Sequence, residues 1–287
     1  MGRVHRRTVI QGLVVSAALG GCTQYPARRA EIPPSPTPTT RKPITGTAPT
    51  TRFAVRRNRL DLRRDDRPLP TTIWSPRAEG RYPLILFSHG LTASPDGYET
   101  LLTAWARAGF VVAAPAYPHT SSGVREFNPL DVLNQPADAS YVITQLVSRG
   151  KHDRIAAAGH SAGGITTIGL FTSARDERLR AGVVLAGRQV VPSPFTGAEV
   201  PLLFVHGRRD KTVAYAEGRA AYDALTWPKA LLTFPDGGHE ATGDELDVVA
   251  ATSTEFWRWS LYGDGAAKSR IARDAGQGGL ATLSNRL

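Results

Sequence analysis

Cysteine is nearly missing from this chain: among 287 residues, Cys22 is the single one. An intramolecular disulfide is therefore excluded, and stability has to come from core burial, for which about 200 folded residues suffice. Metal-ligand spacing is missing as well. No grouping of His, Cys and carboxylates along the sequence matches a metal site, and no G-x-x-x-x-G-K-S/T phosphate loop occurs. We expect neither a metal nor a cofactor. The apolar stretch Thr8–Gly21 is too short to span a bilayer as a mature helix.

A basic face is absent where it would matter. The chain carries 35 Lys and Arg against 25 Asp and Glu, a formal net charge of +10. Three arginines lie in residues 1–21, while residues 22–67 hold 11 basic and 4 acidic groups, and 263–287 hold 4 and 2. Residues 68–262 have 17 basic against 19 acidic side chains. The high charge thus describes the two ends, and no nucleic-acid partner is expected.

The front of the chain reads as an address. Arg3, Arg6 and Arg7 precede the apolar stretch, the pattern of a signal peptide over residues 1–21. Arg6-Arg7 fits twin-arginine export, and an ordinary secretory signal also begins basic. Leu19-Gly20-Gly21-Cys22 resembles the lipobox of bacterial lipoproteins, which implies cleavage before Cys22 and lipid on its sulfur. The expected location is then the outer face of the bacterial cell membrane, with the membrane as a partner through the lipid anchor. Residues 22–52 are rich in Pro, Thr and Arg and read as an extended spacer. Residues 53–262 read as the folded domain, and 263–287, rich in Gly, Ala and Arg, as a loosely held tail.

Within the domain, apolar runs alternate with helix-like segments. Leu84–Phe87, Phe110–Ala114, Ile155–Ala158, Gly182–Leu185, Pro201–Val205 and Leu231–Phe234 read as strands. Tyr98–Arg107, Gln135–Arg149, Tyr215–Leu225 and Leu246–Tyr262 read as helices. Such alternation predicts an α/β fold, a mostly parallel doubly wound sheet with helices on both faces. Arg56–Leu62 and Thr71–Trp74 fit an antiparallel edge. Leu185 to Pro201 is too short for a large lid, so an open site is expected, walled by the loop Pro115–Pro129.

One motif sits at the end of a predicted strand. Gly159-His160-Ser161-Ala162-Gly163 spells G-x-S-x-G between the run Ile155–Ala158 and a helix-like stretch, the pattern of a nucleophile elbow. A serine hydroxyl is a weak nucleophile, so it needs a base to take its proton and a carboxylate to orient that base. Downstream of Ser161 the histidines are His206 and His239. His206 closes a predicted strand and reads as packing, which leaves His239 as the base. Asp210, in the loop after that strand, is the acid; its rival Asp236 reads as a turn residue in Pro235-Asp236-Gly237-Gly238. Backbone N–H groups of Ala162 and Leu91 are the expected oxyanion donors. His89 and His160 read as structural, His119 and His152 as loop residues, Asp138 as a helix cap, and Glu240 and Asp244 as solvated or a helix start.

These segments together resemble an α/β-hydrolase of the dienelactone hydrolase, bacterial cutinase and platelet-activating-factor acetylhydrolase-like group, over about residues 70–262. Ser88-His89-Gly90-Leu91-Thr92 resembles its oxyanion loop, Gly159–Gly164 its elbow, Asp210–Ala214 its acid loop and Gly238-His239 its histidine loop. Dienelactone hydrolases proper have a cysteine nucleophile, and bacterial cutinases usually an aromatic residue where this chain has Leu91 and a methionine where it has Ala162. The resemblance implies a monomeric serine hydrolase cleaving carboxylic esters through an acyl-enzyme. Thioester or amide hydrolysis, and a noncatalytic binding lipoprotein, stand as alternatives.

Overall fold

The computed structural model describes residues 44–150 and 152–287. The expected signal peptide, Cys22 and the spacer up to residue 43 lie outside the described residues.

Nine strands form one sheet: β1 Val55–Arg64, β2 Arg67–Pro76, β3 Leu84–Ser88, β4 Val111–Pro115, β5 Ile155–His160, β6 Leu179–Leu185, β7 Leu202–Gly207, β8 Lys229–Phe234 and β9 Thr282–Arg286. Their order is β1-β2-β4-β3-β5-β6-β7-β8-β9. From β4 across to β8 every pairing is parallel, and β1, β2 and β9 pair antiparallel at the two edges. Among the described residues the α-helices are α1 Glu99–Arg107, α2 Gln135–Arg149, α3 Ala162–Gly169, α4 Tyr215–Ala224, α5 Asp244–Trp257 and α6 Gly265–Ala275.

The central strands are buried throughout, and their side chains alternate between two cores as a period of two requires. Ile85, Phe87, Val183, Leu185, Leu203 and Val205 point to one core, which α1 fills with Leu101, Leu102 and Trp105, and α5 with Val248, Val249 and Phe256. Leu84, Leu86, Val184, Leu202 and Phe204 point to the other, closed by Val142 and Ile143 of α2 and by Tyr222 of α4. This is the α/β-hydrolase architecture, a mostly parallel sheet with helices on both sides. Residues 186–201 hold neither helix nor strand, so no helical lid lies between β6 and β7.

Three readings of the sequence change. Residues 263–287, expected as a loose tail, form α6 and β9. Ala267, Ile271 and Ala275 of α6 are buried, and β9 adds to the edge of β8 from Lys229↔Arg286 to Thr233↔Thr282. Residues 44–52, expected within the spacer, reach the domain: Ala48 is buried and its N–H approaches Asp264 Oδ2 at 3.4 Å. Asp138 does not cap α2. Its carboxylate is fully buried between Arg64 (2.7 Å) and Arg67 (2.6 Å), and Arg67 also binds Asp131 at 2.7 Å. Burying that carboxylate requires charge partners rather than a helix end.

Candidate active site

The C-terminal ends of the parallel strands bring the motifs together, as in open α/β sheets generally. Ser161 stands between β5 and α3 at φ 56°, ψ −117°. A side chain in that region costs about 1–3 kcal/mol, which the surroundings must outweigh. They do so by close backbone approach. A Cβ on Gly159 would lie 2.1 Å from Gly163 O, and one on Gly163 would lie 1.8 Å from Ser88 O. Only glycine fits at either position, so the turn is tight. The Ser161 N–H is anchored to Leu185 O at 2.9 Å.

Asp210 and His239 meet at the next two loops. His239 Nδ1 lies 2.7 Å from Asp210 Oδ2. The other carboxylate oxygen accepts the N–H groups of Thr212 and Val213, both at 2.8 Å. Burial works to raise the Asp210 pKa, but the bond from His239 and the two backbone donors outweigh it and hold the group below the ordinary carboxylate value. Asp236, the rival acid, is exposed and pairs with Arg209. His206 is buried, as a packing residue should be, with Nε2 2.9 Å from Val213 O and 3.2 Å from Asp210 Oδ2. That second contact was not legible in sequence.

His160 ties the elbow to the histidine loop. Its Nε2–H donates to the His239 carbonyl at 2.9 Å, and the two rings lie 4.8 Å apart between centroids. Its Nδ1 lies 2.9 Å from the Tyr98 hydroxyl, which accepts Gly90 N–H at 3.1 Å. Burial lowers the His160 pKa against the opposing pull of Glu240, so the ring is neutral with its proton on Nε2. Burial likewise pushes the Tyr98 hydroxyl up to about 12. Sequence reasoning read Tyr98 only as the start of a helix. Between Ser161 Oγ and His239 no hydrogen bond forms among the described residues. His160, the neighbour of Ser161 in the chain, is the residue that bonds the His239 loop.

The loop carrying Leu91 closes the other side. A Cβ on Gly90 would lie 3.3 Å from Ser161 Cβ, so this loop packs directly on the elbow. It is pinned to the loop Ala116–Asn128 by Thr92 N–H to Thr120 O (2.7 Å) and Ser122 N–H to Ala93 O (2.8 Å). His89, fully buried, accepts the Tyr117 N–H at Nε2 (3.3 Å), which also lies 2.9 Å from Ser121 Oγ, and donates from Nδ1 to Gly90 O at 2.8 Å. Gln135 bridges the same loop to α3, donating to Thr120 Oγ1 and accepting from Thr166 Oγ1, both at 2.6 Å. His119 bonds the Glu126 carbonyl within its own loop, and His152 bonds the Tyr82 carbonyl in the loop before β3.

One cluster of metal-capable atoms exists among the described residues: His160, His239 and Glu240 offer ligand atoms within 4.8 Å of one another. Sequence spacing does not reveal it. Both His160 nitrogens and His239 Nδ1 already hold hydrogen bonds, so the cluster as it stands is a hydrogen-bonded one.

A family model described as chlorophyllase matches residues 44–186. Among curated proteins, acyl-protein thioesterase 1 of Neurospora crassa is 26% identical over 211 residues, covering 60% of this chain and 85% of that protein. The putative esterase YitV of Bacillus subtilis is 27% identical over 191 residues, covering 50% and 74%. Chlorophyllase type 0 of Chenopodium album is 31% identical over 129 residues, covering 41% of this chain and 37% of its own length. Together with the sheet order and the strand–turn–helix at Ser161, these likenesses support an α/β-hydrolase fold for the chain.

Proposed function

We propose that this chain is a serine hydrolase of carboxylic esters, with Ser161 as nucleophile, His239 as base and Asp210 as the carboxylate that orients it. The observation that carries the reading is the 2.7 Å bond between His239 Nδ1 and Asp210 Oδ2 in the loop that His160 holds against the elbow. That bond places the ring proton on Nδ1 and leaves Nε2 as a free acceptor. The names of the similar proteins, an esterase, a thioesterase and a chlorophyllase, agree with hydrolysis of esters or thioesters.

In this reading Nε2 takes the Ser161 proton as Oγ adds to the substrate carbonyl carbon. The oxyanion is received by the N–H groups of Leu91 and Ala162, neither of which has an acceptor among the described residues. Each such donor supplies about 3 kcal/mol of transition-state stabilisation. Collapse expels the alcohol, protonated by His239, and leaves an acyl-Ser161. Water, deprotonated by the same ring, then releases the acid and restores the serine.

The address completes the proposal: export under the signal of residues 1–21, lipid on Cys22, and attachment to the outer face of the membrane. Its support is the sequence pattern alone. Among the described residues no helix is long and apolar enough to cross a membrane. The test of function is hydrolysis of p-nitrophenyl acetate by the chain without its signal, beside Ser161→Ala. Turnover that collapses in the variant is expected; equal rates in both reject the nucleophile.

A further inference from the structure

A cavity of about 310 Å³ opens beside His239, on the sheet face covered by α1 and α5. Leu101, Leu185, Val205, Phe234, Leu246 and Val249 make its apolar walls, and His160 and His239 themselves line it. It touches the elbow directly, because Leu185 is the residue whose carbonyl holds the Ser161 N–H. Nothing in the proposed proton transfer uses this space. A chain of about six carbons fits within that volume, and each buried methylene is worth roughly fourfold in binding.

The polar part of the lining has one sign. No Lys or Arg lines the cavity, whereas Glu240 and Glu245 do. The Glu245 carboxylate sits over Gly237, where a Cβ would lie 3.2 Å from Oε1. Burial, helped by the charge of Asp236, raises the Glu245 pKa, as expected of a carboxylate set against apolar walls with a like charge near it. An anionic group entering the cavity would meet the half-buried Glu245 and the exposed Glu240, and would find no Lys or Arg in the lining to pair with.

We propose that this cavity is the specificity pocket of the enzyme, taking a neutral apolar acyl chain of about six carbons, while Glu240 and Glu245 bar chains that end in a carboxylate. The inference rests on the ester-hydrolase reading, whose triad shares His239 with the cavity wall. A matched pair of substrates separates the two features: p-nitrophenyl hexanoate, and the p-nitrophenyl monoester of adipic acid, which has the same chain ending in a carboxylate.

The test compares kcat/KM for hexanoate, acetate and the adipate monoester in the intact enzyme and in Val249→Trp, with Leu246→Trp as the filling variant should the first not fold. Filling should lower the hexanoate-to-acetate ratio by about tenfold or more. Glu245→Gln should raise the adipate-to-hexanoate ratio several-fold. A second arm needs no turnover: ligand-observed NMR of methyl hexanoate with Ser161→Ala should show binding that is lost in Ser161→Ala/Val249→Trp. Unchanged ratios in folded variants, or methyl hexanoate binding that survives filling, overturn the pocket and leave the hydrolase reading standing. Absence of all turnover in the intact enzyme refutes the hydrolase reading, and the NMR arm still decides the cavity.

Discussion

The Tyr98 hydroxyl donates to Nδ1 of His160 across 2.9 Å, joining residues 62 positions apart in the chain. The direction follows from the partners. His160 Nε2 faces a carbonyl, which only accepts, so Nε2 carries the ring proton and Nδ1 must accept. Gly90 N–H completes the series at the tyrosine oxygen. The loop of Gly90, the turn at Ser161 and the loop of His239 are thereby held by one set of hydrogen bonds.

Tyr98→Phe removes the middle of that series and leaves the Gly90 N–H and His160 Nδ1 unpaired. Two unpaired groups cost about 1–3 kcal/mol each where they are shut off from water. Displacement of the loops should lower kcat by about tenfold to a hundredfold with a smaller change in KM. Steady-state kinetics on a soluble ester, with a urea unfolding curve alongside, check both. An unchanged kcat would show that the three loops hold their places without the tyrosine.

Stability should fall in mild acid. Burial lowers the pKa of His89 from the ordinary 6.5, only partly offset by its bond to Gly90, and burial lowers that of His160 as well. Below about pH 6.5 the unfolded chain takes up protons that the folded chain refuses, so stability is full above that pH and declines below it, by up to about 1.4 kcal/mol per pH unit for each histidine. Asp210, whose pKa is depressed, acts lower: its contribution is present above the ordinary carboxylate value near 4 and is lost as the pH falls further. Urea midpoints measured from pH 8 to pH 5 should therefore decline with acid, and a flat or rising series would contradict the neutral state of the two rings.

Among the described residues Arg67 is the only partner that reaches both Asp131 and Asp138 in the cluster under β2 and α2. Its own pKa is raised by the hydrogen bond to Asp138, against the effect of burial. Arg67→Met leaves two buried carboxylates with Arg64 paired to Asp138 alone, a loss on the order of 3–5 kcal/mol. Chemical denaturation at pH 7 measures it. A loss under about 1 kcal/mol would mean the cluster behaves as an exposed pair does.

Removing residues 264–287 should destabilise the domain rather than trim a tail. The deletion uncovers the β8 edge and strips Ile271 and Ala275 from the core shared by α1 and α5. An open strand edge is also a template for aggregation. The truncated chain should be found largely in the insoluble fraction, or melt well below the full chain. An equal melting temperature would return this segment to the status of an appendage.

The sequence made the central sheet and the chemistry-bearing motifs legible because both are local. Gln135–Arg149 is read with the bounds that α2 has, and the six parallel strands stand out as buried apolar runs. The last segment escaped for physical reasons. β9 is an edge strand, Thr-Leu-Ser-Asn-Arg, with little to bury, and α6 packs through Ala267, Ile271 and Ala275, two of them too small to mark a hydrophobic face. Asp138 looked like a cap because its partners Arg64 and Arg67 lie more than 70 residues earlier. The contact Tyr98–His160 is likewise a product of the folded chain: nothing periodic or adjacent in sequence marks it.

In the proposed reaction His239 draws the proton from Ser161. Labelling with a fluorophosphonate, mapped by mass spectrometry, tests it directly, since the reagent reacts with an activated serine and not with an ordinary one. The account predicts an adduct on Ser161 in the intact chain and its near loss in His239→Ala, where the serine is still present. An adduct on another residue, or labelling of Ser161 that is undiminished without the imidazole, would contradict it.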